Sequence, residues 1–144
     1  MAFAIASTVD LVHLAEQPNQ ALLDLAAPTT TALETMLHDA KISRVYTDYW
    51  LAYPLTFRHT NGLVASPLDL PRVITAQRAV DDARATTWIV YVASRRDRAL
   101  GPELRRRGII ATRRVTGPFA LYQLDRYLTP LDLNRFWVTY PPGR

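Results

Sequence analysis

The sequence predicts an α/β fold: a three-layer, Rossmann-like, mostly parallel sheet that ends in a C-terminal antiparallel hairpin. Three observations lead there. Short apolar runs alternate with helical stretches in the order strand, helix, strand, helix, strand, helix, hairpin, which right-handed crossovers turn into a parallel sheet with helices on both faces. The run TTWIVYVAS at residues 86–94 holds five consecutive apolar side chains between polar ends, as suits a central strand covered on both sides. Two alternating runs, IIATRRV and FALYQLD, flank Thr116-Gly117-Pro118 and read as a hairpin around a turn.

Each element follows from its own pattern. Residues 9–26 carry Val9, Val12, Leu14, Leu22, Leu23 and Leu25 around a break at Gln17-Pro18-Asn19, which fits two short helical pieces or a helix and a loop. Thr31 and Glu34 make a capping box, and Leu33, Met36, Leu37 and Ala40 then fall at helical spacing, so an amphipathic helix is expected to end near Ala40. Ile42 to Tyr49, rich in β-branched and aromatic residues, reads as the first strand. Leu63 to Leu68 reads as the second, after the Asn61-Gly62 turn signal. Between them Pro54 argues for a single bent turn and against a regular helix. Pro71 marks a helix start, with Val73, Ala76, Val80 and Ala83 along one stripe. Ser94 and Asp97 cap the next helix, which carries Leu100 and Leu104 and which Gly108 is placed to terminate. Pro102 counts against a long helix there. The expected organisation is an N-terminal helical segment at 1–28, an α/β domain at 29–128 and a C-terminal tail at 129–144 that ends in Pro-Pro-Gly.

The totals narrow the function classes. A chain of 144 residues is large enough for one domain that buries roughly 68–70% of its unfolded surface. The absence of cysteine excludes disulfides, zinc thiolate sites and thiol nucleophiles. Residues 1–83 carry five basic and nine acidic side chains, whereas residues 84–144 carry twelve arginines against four acids. Sixteen of the seventeen basic residues are arginine, a bias that either a GC-rich genome or anion binding produces. No stretch reaches the eighteen or so apolar residues of a membrane span. The start, MAFAIAS, lacks a basic leader and soon meets Asp10 and His13, so it makes a poor signal peptide. The chain is expected to be soluble as it stands, whether whole or cut from something larger.

Few constellations carry chemistry. No GxGxxG or GxxxxGK[ST] occurs, which argues against a dinucleotide or P-loop site. There is no GxSxG elbow, and His13, His38 and His59 fit no metal motif, so no catalytic residue, metal or cofactor is assigned. Asp81-Asp82 point about 100° apart on a helix and read as a polar face. In a parallel sheet, ligands sit beyond the carboxyl ends of the strands, near the point where strand order reverses. Those ends hold the stretch YTDYWLAYPLTF, residues 46–57. Asp48 there either caps the following helix or orients a hydroxylated ligand, and Tyr49, Trp50 and Tyr53 are either core or a stacking platform. Arg95 and Arg96, at another strand end, are candidates for a phosphate or carboxylate. Arg105 to Arg107 favour the helix C-terminus without any partner. Nucleic acid is not an expected partner, because the aromatic and basic interleaving of its binding modules is missing.

RVYTDYWLAYPLTF, followed after Asn61-Gly62 by LVASPLDLPR, resembles a segment in the C-terminal soluble region of bacterial polytopic membrane glycosyltransferases, the GT-C-like relatives of dolichyl-phosphate-mannose transferases. The similarity takes in the preceding helix and the later TGPFALYQLD run, roughly residues 30–125. In that family a membrane-embedded N-terminal part holds the acidic catalytic residue in an extracytoplasmic loop and uses a lipid-linked sugar donor. Nothing here matches that part. The resemblance therefore implies a non-catalytic accessory domain on the extracytoplasmic side of the membrane, with residues 1–28 as a linker after the last membrane helix. Its implied partners are the membrane-embedded part of the parent polypeptide and a carbohydrate or lipid-linked sugar, with Asp48, Tyr49, Trp50 and Tyr53 contacting the acceptor. Pro54 departs from the family pattern, where a polar or basic residue is expected. Two other readings stand beside this one: a small α/β enzyme acting on an anionic substrate held by Arg95 and Arg96 with Asp48 as base, and a structural interaction module.

Overall fold

The computed structural model describes residues 27–57, 62–68 and 73–133. Its elements are α1 (Ala27–Asp39), β1 (Arg44–Thr47), α2 (Tyr49–Phe57), β2 (Val64–Pro67), α3 (Ile74–Asp82), β3 (Thr87–Tyr91), α4 (Arg95–Arg106), β4 (Ala111–Thr116), β5 (Phe119–Leu124) and a 3₁₀ turn at Pro130–Leu133. The strands form one five-stranded sheet in the order β2-β1-β3-β5-β4. β1 pairs in parallel with both β2 and β3. The hairpin β4-β5 joins the other side of β3 in antiparallel sense. The fold is thus the α/β arrangement the sequence predicts, with a parallel core and an antiparallel C-terminal hairpin.

The path of the chain fixes where helices lie. From β1 it moves outward to β2 and then returns past β1 to β3, so two right-handed crossovers in opposite directions place α2 and α3 on opposite faces. Side chains confirm this layering. Val45, Ile89 and Leu121 pack with Leu33 and Leu37 of α1 and with Leu51, Ala52 and Leu55 of α2. Tyr46, Trp88, Val90 and Ala120 point the other way, against Val80 of α3 and Leu100 and Leu104 of α4. Trp88, Ile89 and Val90 are all fully buried, which identifies β3 as the central strand expected of TTWIVYVAS. Ile89 and Val90 each contribute about 1.5–3 kcal/mol through burial.

Three helices end in the same way. Lys41 (φ 55°), Arg84 (φ 51°) and Gly108 (φ 67°) adopt the left-handed conformation just past α1, α3 and α4. The amides of Ile42, Ala85 and Ile109 then reach back to the carbonyls of Leu37, Val80 and Leu104 at 2.8, 3.2 and 2.9 Å. This is the Schellman pattern, and only its glycine example is anticipated by the sequence. At the hairpin tip Gly117 (φ 52°) supplies the positive φ that a two-residue turn needs at its first central position.

Several boundaries differ from expectation. α1 begins at Ala27, so Thr31 is inside the helix and does not cap it; its carbonyl accepts the Thr35 hydroxyl at 2.9 Å. Pro28 falls in the first turn, where an amide hydrogen would have no partner anyway. β1 is shorter than predicted because Ile42 belongs to the α1 terminus and Tyr49 already starts α2. The stretch around Pro54 is a nine-residue helix, not one bent turn. Pro54 removes one backbone donor, but the burial of Leu51, Ala52 and Leu55 outweighs that loss. α4 likewise runs twelve residues through Pro102. α3 starts at Ile74 with Val73 at its N-cap, and Pro71, Asn61 and the segments 1–26 and 134–144 lie outside the described residues. Leu133, inside the predicted tail, is buried in the core together with Leu128, the last residue of the predicted domain.

Candidate functional site

Strand order reverses between β1 and β3, so the carboxyl ends of these strands flank the crevice in which such sheets place ligands. Asp48 follows β1 directly. Its carbonyl accepts the amides of Leu51 and Ala52, both at 3.0 Å, and so opens α2. Its carboxylate is only 7% exposed and pairs with the Arg96 guanidinium in the first turn of α4. A buried carboxylate requires such a partner. The ion pair ties the end of β1 to the helix after β3, across the switch point. Two of the six sequence-predicted site residues are therefore brought into direct contact. Arg95 stands exposed one residue earlier on the same turn.

The remaining three predicted residues form a different feature. The aromatic stretch divides: Tyr46 is buried on the α3 side, its ring 5.6 Å from that of Trp88 and tilted 58° to it, and donates its hydroxyl to Asp81. Burial, with help from Asp81 and Tyr127, pushes the Tyr46 phenol well above its usual range. Asp81 thus faces the sheet while Asp82 is exposed, so the pair is only half the polar face expected of it. Tyr49, Trp50 and Tyr53 lie on the outer side of α2 and continue into Phe57. Ring centroids are 5.2 Å apart from Trp50 to Tyr49, 5.0 Å from Tyr49 to Tyr53 and 6.2 Å from Tyr53 to Phe57. The last two rings are nearly parallel, at 6°. Trp50 is 43% exposed and Phe57 70%. α2 contains no charged residue, so water meets an apolar row on this face.

Sequence reasoning missed a buried polar cluster beneath α4. Asp97, read only as part of a cap, receives the Ala93 amide at 2.9 Å, Arg113 at 3.0 and 2.8 Å, and the Tyr122 hydroxyl at 2.6 Å. The cap itself forms, since Ser94 accepts the Asp97 amide at 3.1 Å. Burial works to raise the Asp97 pKa, but the bonds from Arg113, Tyr122 and Ala93 outweigh it and hold the carboxyl below its usual range. Burial and the neighbouring Asp97 push Tyr122 up to about 12. Ala93, at φ 58°, makes the sharp turn between β3 and α4, and Asp97 and Arg98 clamp its backbone from both sides. The signal for this cluster was an arginine in an alternating strand with a buried tyrosine opposite, Arg113 facing Tyr122.

No family model, curated protein or solved structure matches the chain. Two open grooves, of about 520 and 420 Å³, run along α1 and include none of the six predicted residues. The larger reaches Ile42, Ser43 and Leu63, at the amino ends of β1 and β2 and so away from the switch point. Among the described residues no cluster of His, Asp and Glu could hold a metal ion, and no helix is long and apolar enough to cross a membrane. His38 is exposed beside Asp39, and His13 and His59 lie outside the described residues. Arg106 and Arg107 both bond Glu103, drawing its carboxyl down to about 2. What the strand-end region offers is a fixed ion pair and, beside it in sequence, a surface row of rings.

Proposed function

We propose that this chain is a non-catalytic accessory domain of a membrane glycosyltransferase, at the extracytoplasmic face, whose α2 ring row binds or positions a carbohydrate acceptor. One observation carries the reading: an uncharged helix presents four neighbouring rings outward, with Trp50 and Phe57 substantially exposed. Exposed apolar patches of this kind mark contact surfaces. A pyranose offers an apolar C–H face to such rings and hydroxyls to polar groups at the edge, here the phenols of Tyr49 and Tyr53. The resemblance of residues 44–57 to the glycosyltransferase segment supplies the context.

The enzyme reading draws less support. Its candidate base, Asp48, and its candidate anion holder, Arg96, are each other's ion-pair partner, so using either would release the other's buried charge. Titrating the chain with cell-envelope oligosaccharides while recording tryptophan fluorescence and backbone NMR shifts tests the proposal. Shifts confined to residues 48–57 support it. Silence there, with changes elsewhere or none, removes the carbohydrate role; shifts produced only by detergent-solubilised membrane segments assign the same face to docking on a membrane part.

A further inference from the structure

β4 ends the sheet, and its side chains are largely exposed on both faces, unlike those of β5 beside it. The Asp125 amide bonds the Ile110 carbonyl at 2.9 Å, which sets the phase of the ladder. The inward-bonded pairs are then Thr112 with Gln123, Arg114 with Leu121 and Thr116 with Phe119. It follows that the N–H and C=O groups of Ala111, Arg113 and Val115 point outward, and among the described residues no strand takes them. The flanking sequence is basic: residues 105–126 hold six arginines and one acid, Asp125, and while Arg106 and Arg107 bond Glu103 and Arg126 bonds Asp125, Arg114 lies on the β4 edge itself. On the α1 face a groove of about 420 Å³, lined by Thr35, Met36, Asp39 and Arg114, runs alongside.

We propose that the outer edge of β4 is a docking edge for an extended acidic peptide segment, which adds a sixth strand to the sheet. Strand addition supplies main-chain hydrogen bonds, and alternate side chains supply selectivity. Charge decides the occupant. A second copy pairing antiparallel through its own β4 would set arginines 113 and 114 opposite or diagonal to one another, which is repulsive. A segment with carboxylates at alternate positions places them beside Arg114 instead. Arg113 stays committed to Asp97, so Arg114 is the selecting residue. The site is separate from the ring row of α2.

The test uses the full chain and a fluorescent eight-residue peptide alternating Glu with Val and Thr, with a Lys-for-Glu peptide as control. The Glu peptide should bind and shift the amides of Ala111, Arg113 and Val115. Binding should weaken about tenfold in Arg114→Glu. Val115→Pro should abolish it, because proline there removes an outward N–H and leaves the β5 ladder intact. Should Val115→Pro fail to fold by circular dichroism, N-methylation of alternate peptide amides gives the same reading. No binding up to about 1 mM, equal binding of the Lys peptide, or concentration-dependent pairing of the chain with itself overturns the proposal.

Discussion

Replacing Asp97 by alanine should be among the most costly single changes outside the apolar core. The carboxylate is 9% exposed and takes four hydrogen bonds, from Ala93, twice from Arg113 and from Tyr122. Breaking a buried ion pair by removing one partner costs about 3–5 kcal/mol. Arg113 is 40% exposed and regains water when released, which brings the figure to about 2–3 kcal/mol. Urea unfolding followed by circular dichroism should show the midpoint falling by about 1.5 M, for a slope of about 1.5 kcal/mol per molar. The effect carries a pH signature. A carboxyl held below its unfolded value stabilises the fold above that value and stops doing so as pH falls through the folded pKa. Wild type should therefore exceed Asp97→Asn at pH 5–7, and the gap should narrow as pH falls below the ordinary aspartate value of about 3.9. A gap of the same size at pH 2.5 and pH 7, or an alanine cost below about 0.5 kcal/mol, would refute the reasoning.

Other substitutions probe separate parts of the argument. Gly108→Ala should cost about 1 kcal/mol by thermal unfolding, purely from the left-handed backbone, since an added Cβ at this position meets no atom within 4 Å. A cost near zero would contradict the helix terminus described. Thr47 and Ser66 bury hydroxyls that find no partner among the described residues, so Thr47→Val and Ser66→Ala should be neutral or stabilising by up to about 1 kcal/mol in urea titrations. A loss above that value would reveal a hidden partner. Trp88→Ala should cost about 3–5 kcal/mol, whereas the exposed Trp50→Ala should stay within about 1 kcal/mol of wild type. Equal losses at the two positions would place Trp50 in the core.

The layered α/β architecture was legible because period and order alone carry it. The uninterrupted run around Trp88 marked the central strand, and Thr116-Gly117-Pro118 marked the hairpin. The ends of helices were less legible. Lys41 and Arg84 take a left-handed conformation that glycine usually signals, and Pro54 and Pro102 sit inside helices that tertiary burial sustains. Of the site, the strand-end position of Asp48 and Arg96 could be read, but their pairing could not, because it spans 48 positions and depends on how α4 lands. The division of the aromatic stretch was out of reach for a similar reason. Strand alternation sends Tyr46 to the α3 side, and only the start of α2 at Tyr49 turns the next three rings outward. The Asp97 cluster joins residues 93 to 122 through three elements, and its one sequence signal, Arg113 facing Tyr122, shows only once the hairpin register is known.

Saturation-transfer NMR between the aromatic protons of α2 and a bound oligosaccharide addresses the ring row most directly. Irradiating the aromatic region should label the C–H protons of one sugar face in the wild-type chain, and the labelling should vanish in a folded Trp50→Ala, Tyr53→Ala double variant. Transfer of equal strength in both proteins would mean that the sugar binds elsewhere. Its complete absence from the wild type, across cell-envelope glycans, would mean that these rings do not serve carbohydrate.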